Sequence, residues 1–339
     1  MPRSRPVRLA LVLLPVVALG AAIVWRGPEL SLLERAFRFV EWNWVAVAVL
    51  VNLFSVVVRA HAWNIVIRQA VLPPWPRFRS VFSAFCIGLL GNAALPGRVG
   101  ELARVAVITR RIRRRPGTWA TIVGTVFAHR LFDVVVAVAL VVFTLYVAPI
   151  PDWAMPVLGV TIGIGLGLLL AGFVLARRHQ RPVTDELGPL RRLLLLAQRG
   201  LTVLRRPAPA LQALFFQAVG WLAQLMAVYA AFLAFSIDAT IPEAALVLVI
   251  VNLVTVFPFW PGNVGLVQAA VAAALLSYGV SYPHGLVFGI GLQAIEVSVG
   301  VALGFVFLAR EGFTFAMLRR MPEMTEVEID GDTRVERIA

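Results

Sequence analysis

Two copies of one short break, Leu95-Pro96-Gly97-Arg98-Val99-Gly100 and Trp260-Pro261-Gly262-Asn263-Val264-Gly265, each interrupt an apolar run that would otherwise be long enough to cross a bilayer. The two prolines stand 165 positions apart (261 less 96). Proline removes a backbone donor and glycine admits left-handed backbone, so the pair ends a helix wherever it falls. In hydrocarbon a broken helix is tolerated only where it is buried in protein or lines a cavity, and matching breaks in two halves of a chain point to a transporter architecture.

The rest of the composition suits that setting. The chain is 60% hydrophobic and 14% charged, with mean hydropathy +0.86, whereas soluble domains carry about a quarter charged residues. Its net charge of +13 comes from arginine alone. The arginines alternate with apolar runs instead of sharing one face, which argues against nucleic-acid binding. Cys86 is the single cysteine, so no disulfide forms within the chain, and its apolar surroundings make it a packing residue. No phosphate-binding glycine loop, zinc spacing or nucleophile with its acid and histidine is present, and no cofactor or metal is expected.

Apolar runs predict spans near 7–25, 42–67, 117–147, 153–176, 208–235 and 284–309. The first follows the basic Met1–Arg8 segment but lacks a small-residue cleavage site before Trp25-Arg26, so it reads as a membrane helix and not a leader. Residues 80–95 stop at the first break and return as a polar-faced helix over 98–109; residues 242–259 stop at the second and return as an alanine-rich helix over 264–280. Both read as re-entrant hairpins.

Loop charge orients these elements, because cytoplasmic loops concentrate arginine. Arg68, Arg77 and Arg79 precede the first hairpin and Arg110, Arg111, Arg113, Arg114 and Arg115 follow it, so it enters from the cytoplasm. Segment 177–206, rich in arginine and leucine, is also cytoplasmic and reads as an amphipathic helix on the inner leaflet, while 148–152 and 236–241 carry only Asp152 and Asp238 and lie outside. The second hairpin then enters from outside. Segment 26–41 mixes both charges and reads as a short external helix.

The expected fold class is therefore an all-α polytopic membrane protein of two inverted-topology repeats, with about six full spans and two re-entrant helical hairpins. The first repeat covers 1–147 with its hairpin near 80–109, the second covers 148–312 with its hairpin near 242–280, and 313–339 forms a disordered cytoplasmic tail. Both termini are expected in the cytoplasm, and the inner (plasma) membrane is the expected location. Inverted repeats place a substrate site near the midplane, between the hairpin tips.

Ionisable residues inside the membrane are expensive and mark function. Arg98, Glu101 and Arg104 follow the first break at spacings of three and share a helix face. His129, Arg130 and Asp133 lie mid-span, with Arg130 and Asp133 spaced to pair, and Glu296 lies mid-way along the last span. Asn263 and Gln268 flank the second break. These residues, Arg98, Glu101, Arg104, Arg130, Asp133, Asn263, Gln268 and Glu296, form the candidate substrate-binding set. The same charges also admit a plainer reading as pairs that lock helices together. Arg59 is read as snorkelling toward cytoplasmic headgroups, Gln217, Gln224, Asn92 and Asn252 as interhelical hydrogen bonds, and Gly159-x-x-x-Gly163 and Gly300-x-x-x-Gly304 as close helix packing.

The segment Leu95-Pro-Gly-Arg-Val-Gly-Glu-Leu-Ala-Arg104, the Arg130-Leu-Phe-Asp133 element and Pro261-Gly-Asn-Val-Gly265 together resemble the flippase-like membrane family that includes the membrane domain of lysylphosphatidylglycerol synthases. The resemblance covers about residues 7–312. It implies an inner-membrane protein that moves, or helps move, a lipid with a charged or sugar-bearing headgroup between leaflets. Two departures stand out: Asn263 and Gln268 replace a glycine and a glutamate of the family's second motif, and His129 stands where a glutamate commonly precedes the arginine. Their loss removes carboxylates that could carry protons. No aminoacyltransferase domain follows the last span, so an enzymatic role is not expected.

The reading favoured is a translocase for an anionic, aminoacylated or polyprenyl-phosphate-linked lipid. Two alternatives stay open: a secondary transporter of a small soluble anion, and a non-transporting membrane partner of a lipid-modifying enzyme or glycosyltransferase. Expected partners are thus membrane lipids, with such an enzyme as a further one, and no nucleic acid.

Overall fold

The structure, a computed structural model, describes residues 40–95, 99–112, 118–148, 150–151, 154–177, 198–256 and 261–311. The expected span at 7–25, nearly all of the external segment 26–41, Arg98, most of the basic segment 177–206 and the C-terminal tail lie outside the described residues.

Among the described residues all regular structure is helical: α1 (Trp42–Ala70), α2 (Phe78–Ala94), α3 (Val99–Arg111), α4 (Thr118–Val147), α5 (Ala154–Arg177), α6 (Pro207–Ala234), α7 (Ile241–Val256), α8 (Leu266–Leu275) and α9 (Tyr282–Arg310), with short 3-10 turns between some of them. Helices α1, α4, α5, α6 and α9 are long and apolar enough to cross a membrane. Their ends fall within a few residues of those read from hydropathy, because prolines and charge mark them. Helix α1 stops before Pro73-Pro74, and α2 gives way at Leu95 (φ −122, ψ 142), the extended conformation favoured by a residue that precedes proline. Pro207 opens α6 and Pro283 lies in the first turn of α9, where a missing N–H leaves no bond unmade. Helix α3 is the polar exception. Glu101 in its first turn and Arg110 and Arg111 in its last complement the helix dipole.

The order long, short, short, long occurs twice, as α1–α4 and as α6–α9, with α5 between. Starting residues of the second set follow those of the first by 165, 163, 167 and 164 positions (207 less 42, 241 less 78, 266 less 99, 282 less 118). Each set contributes to an apolar core. One gathers Trp63, Ile67, Ile87, Ile108 and Ile122 from α1 to α4 together with the end of α9. The other gathers α6 to α9, where Phe232 stacks on Phe288 with ring centroids 4.4 Å apart. Apolar side chains such as Val160, Ile164, Leu170 and Phe173 of α5 stay exposed, as suits a helix surrounded by lipid.

Glycines decide how closely the short helices pack. Gly88 and Gly91 of α2 face Gly100 of α3, and a Cβ on Gly100 would overlap the Gly88 carbonyl oxygen. Gly300 and Gly304 of α9 seat against Leu89 and Leu90 of α2, as their spacing predicts. Gly159 and Gly163 correct the expectation of close packing, since nothing lies within 4 Å of a Cβ built on either. Spacing of four puts both on one helix face but does not say whether that face meets a partner. Helix α5 instead approaches α4 through Gly165 at Val138 and Gly172 at Leu131.

The second break turns through Pro261–Asn263, where Gly262 has φ +66 and Asn263 φ +46, and then Gly265 at φ +91. Left-handed backbone of this kind carries no Cβ penalty for glycine. A Cβ on Gly262 would stand 4.0 Å from the Ala93 carbonyl oxygen, so the turn leading into α8 meets the end of α2.

Candidate functional site

Helix α4 presents His129, Arg130 and Asp133 toward α1, α3 and α6, and Asp133 becomes the hub of a buried polar cluster. Its Oδ1 accepts hydrogen bonds from Arg59 Nη2 (3.0 Å), Trp221 Nε1 (3.0 Å) and Gln217 Nε2, and its Oδ2 accepts from Arg130 Nη1 (3.1 Å). Three helices besides its own thus converge on one carboxylate or its partner arginine. A buried charge is tolerable when paired and hydrogen-bonded in this way.

Arg130 continues the chain, because its Nη2 donates to Glu101 Oε1 on α3. The other Glu101 oxygen lies 2.5 Å from Arg104 Nη2, an ion pair whose angle is not that of a hydrogen bond. Arg104 is only 3% exposed and lies between the rings of Trp63 (4.8 Å) and Phe85 (5.8 Å). That aromatic clamp suits a planar guanidinium and fixes its position. Trp63 is in turn held by donation from Nε1 to Thr125 Oγ1 at 3.2 Å. His129 turns Nε2 to the Arg59 carbonyl oxygen at 3.2 Å, and since a carbonyl only accepts, Nε2 carries the hydrogen.

A small recess of about 30 Å³ opens beside this cluster, lined by Arg59, Asn92, Glu101, Arg104, His129 and Arg130 together with the close contact of Gly88 and Gly100. Three guanidiniums gather there against Glu101 and the adjoining Asp133, with Glu296 linked to Arg59 through Gln224. Arg130 is the most open of the three, its side chain 39% exposed. Guanidiniums bind phosphate and carboxylate oxygens through paired donors.

Of the residues expected from sequence, the structure brings Glu101, Arg104, Arg130 and Asp133 together. Glu296 joins at one remove: Gln224 donates to Glu296 Oε1 at 3.4 Å and accepts from Arg59 Nη1 at 3.1 Å. Asn263 and Gln268 hold the second break instead. Asn263 Nδ2 donates to the Val254 carbonyl at 2.8 Å, Gln268 Oε1 accepts from Gly265 N at 2.5 Å, and Gln268 and Gln293 bond each other, with Gln293 donating on to the Gly262 carbonyl. Arg98 lies outside the described residues. Arg59 does not snorkel; it is paired with Asp133 and stacks at 5.6 Å over Trp221. Its position on a span shared with Asn52, Ser55 and His61 was the one signal in the sequence. Gln217 and Gln224 do bond between helices as expected, whereas Asn252 bonds back to Leu248 within its own helix.

Fold and site together define a multi-pass helical membrane protein with an arginine-rich ion-pair cluster buried among its long helices. The chain belongs to the family described as the lysylphosphatidylglycerol synthase TM region, whose model matches residues 7–304. It is similar to a UPF0104 membrane protein of Methanothermobacter thermautotrophicus, 23% identical over 314 residues that cover 87% of this chain and 90% of the relative. A UPF0104 membrane protein of Methanocaldococcus jannaschii is 24% identical over 197 residues, 56% of this chain and 81% of the relative. No solved structure matches the chain.

Proposed function

We propose that this protein is a lipid translocase of the inner (plasma) membrane, with both termini cytoplasmic, that carries an anionic headgroup between leaflets through the recess beside α3. The observation that carries this reading is the gathering of three guanidiniums, with Arg130 the most open, at a recess formed by apolar helices. Arg104 and Arg130 hold the headgroup, Glu101 and Asp133 orient those arginines, and acyl chains remain in lipid.

Movement requires two faces to open in turn, and the reading assigns this to two inverted repeats, α1–α4 and α6–α9, whose short helix pairs are re-entrant. Contacts between equivalent residues support it. Ser55 Oγ donates to the Gly220 carbonyl at 2.7 Å and Arg59 to Gln224, and both pairs are 165 residues apart, the separation of the two breaks. Contacts of a residue with its own equivalent arise where a two-fold axis passes. Asn52 on α1 donates to the Ile295 and Glu296 carbonyls on α9, while Gln217 on α6, also 165 positions on, donates to Asp133 on α4. Rocking of one repeat against the other would expose the recess to each leaflet alternately.

Scrambling of fluorescent lipids in proteoliposomes tests this reading. Movement of anionic lipids above the rate in protein-free liposomes is the expected result. Absence of movement for every lipid with folded protein would turn the reading to a soluble anion or to a non-transporting partner.

A further inference from the structure

Helix α5 covers one stripe of α4, while the corresponding stripe of α9 is bare among the described residues. Gly172 of α5 seats against Leu131, Gly165 against Val134 and Val138, and Leu158 clusters with Val141, so the two helices run antiparallel. Helix α9 starts 164 positions after α4 (282 less 118), and that separation carries Val134, Val138 and Val141 onto Ser298, Ala302 and Phe305. All three of these are exposed. The contrast is sharpest at the last pair, where Val141 is 2% exposed and Phe305 is 51% exposed. The Ser298 hydroxyl donates to the Ile295 carbonyl at 2.8 Å within α9, so its polar atom is already engaged. With Ser298 and Ala302 small enough to admit close approach, the stripe suits an apolar helix.

The chain itself carries an occupant of the right size. Residues 7–25 are apolar, lie outside the described residues and fall within the stretch that the family model matches. As a helix they would extend about 28 Å. The place from which they are tethered is fixed. Glu41 N donates to the Ala234 carbonyl at 2.9 Å, and His284 in the first turn of α9 turns Nε2 to the Phe235 carbonyl at 3.2 Å. The starts of α1 and of α9 are thus both tied to the end of α6. A helix that leads toward α1 therefore finishes beside the start of α9 and runs antiparallel to it, as α5 does to α4. Residues 26–40 connect the two and reach up to about 50 Å when extended, ample for the link. We propose that residues 7–25 form a helix seated on the Ser298, Ala302 and Phe305 stripe of α9, the counterpart of α5 on α4. This goes beyond the transport reading: it rests on the correspondence of α4 with α9 and holds whether or not a lipid moves.

Cysteine cross-linking of the full chain in its membrane tests this seat. Phe305 stands five residues before Arg310 and Leu11 three after Arg8, so both lie at a similar depth from a basic helix end. Phe305→Cys is paired with Leu11→Cys, Val12→Cys, Leu13→Cys or Leu14→Cys, which sample every face of one turn, and a protease site is inserted between residues 26 and 39. Buried Cys86 is left in place. After cleavage, at least one of the four pairs should keep the two fragments joined on a non-reducing gel. The yield should be at least tenfold above that of the same cysteines paired with Ile164→Cys on the exposed face of α5. Should Phe305→Cys not fold, Ala302→Cys takes its place. Cross-links between two chains would make a second copy the occupant and overturn the proposal, as would equal joining to Ile164→Cys or no joining in any pair. Ala302→Trp supplies a second readout, since a bulky ring under a seated helix should lower the thermal midpoint in detergent by several degrees while Ile164→Trp leaves it unchanged. An unchanged midpoint in Ala302→Trp contradicts a covered stripe.

Discussion

Arg59 and Gln224, side by side at 3.1 Å, stand 165 residues apart, as Pro96 and Pro261 do. The same hydrogen bond ties α1 to α6 and links the Asp133 cluster to Glu296. One contact thus joins the proposed internal two-fold to the proposed site. An axis at this point would make the two sides of the recess exchange roles as the repeats rock.

Inverted repeats make a prediction about sidedness. Leu72, after α1, and Asp238, after α6, are exposed and occupy nearly equivalent places in the two sets. With single cysteines at Leu72→Cys and Asp238→Cys, an impermeant maleimide should label the first only from the cytoplasmic face and the second only from outside. Buried Cys86 should stay unlabelled in both. Labelling of both sites from one face would remove the inverted arrangement.

Much of the fold was legible in the sequence because span length and proline position are local properties. Runs at 42–67 and 117–147 became Trp42–Ala70 and Thr118–Val147 with little adjustment. Partner choice was not legible. Arg59 lies within one span and Asp133 in another, and only the packing of α1 on α4 and α6 decides that the arginine turns inward. Likewise Gly159 and Gly163 carry the spacing of a helix contact but face open space, while Gln217 and Gln224 read as interhelical hydrogen bonds whose partners, Asp133 and Glu296, only the packing supplies. The charged residues that cluster, Glu101, Arg104, Arg130 and Asp133, stood out in the sequence because hydrocarbon makes any ionisable group informative.

Asp133 neutralises two arginines at once, so Asp133→Asn should cost about 3–5 kcal/mol, the usual penalty for breaking a buried pair. Thermal unfolding of the detergent-solubilised protein would register this as a large fall in midpoint. Pairing with Arg59→Gln should restore part of the loss, since the second change removes one of the stranded charges. Strictly additive effects would mean that the two residues are not coupled.

Gly100 and Gly163 should respond in opposite ways to alanine. Gly100→Ala forces α2 and α3 apart at the Gly88 carbonyl and should destabilise by about 1–3 kcal/mol, as overpacking does. Gly163→Ala fills open space and should be neutral or stabilise by up to about 1 kcal/mol through helix propensity. Midpoints measured side by side in one detergent distinguish the two, and equal losses would contradict the packing described here.

Arg130 bridges Glu101 and Asp133 with two nitrogens, a geometry that a lysine ammonium cannot reproduce. The most direct measurement is therefore scrambling of labelled phosphatidylglycerol by the native protein, Arg130→Lys, Arg130→Ala and the Gly163→Ala control, each reconstituted at equal density. A native rate above background, retained by the control and reduced at least tenfold by both Arg130 variants, is the predicted result. Scrambling that persists unchanged in Arg130→Ala would contradict a headgroup path through this cluster.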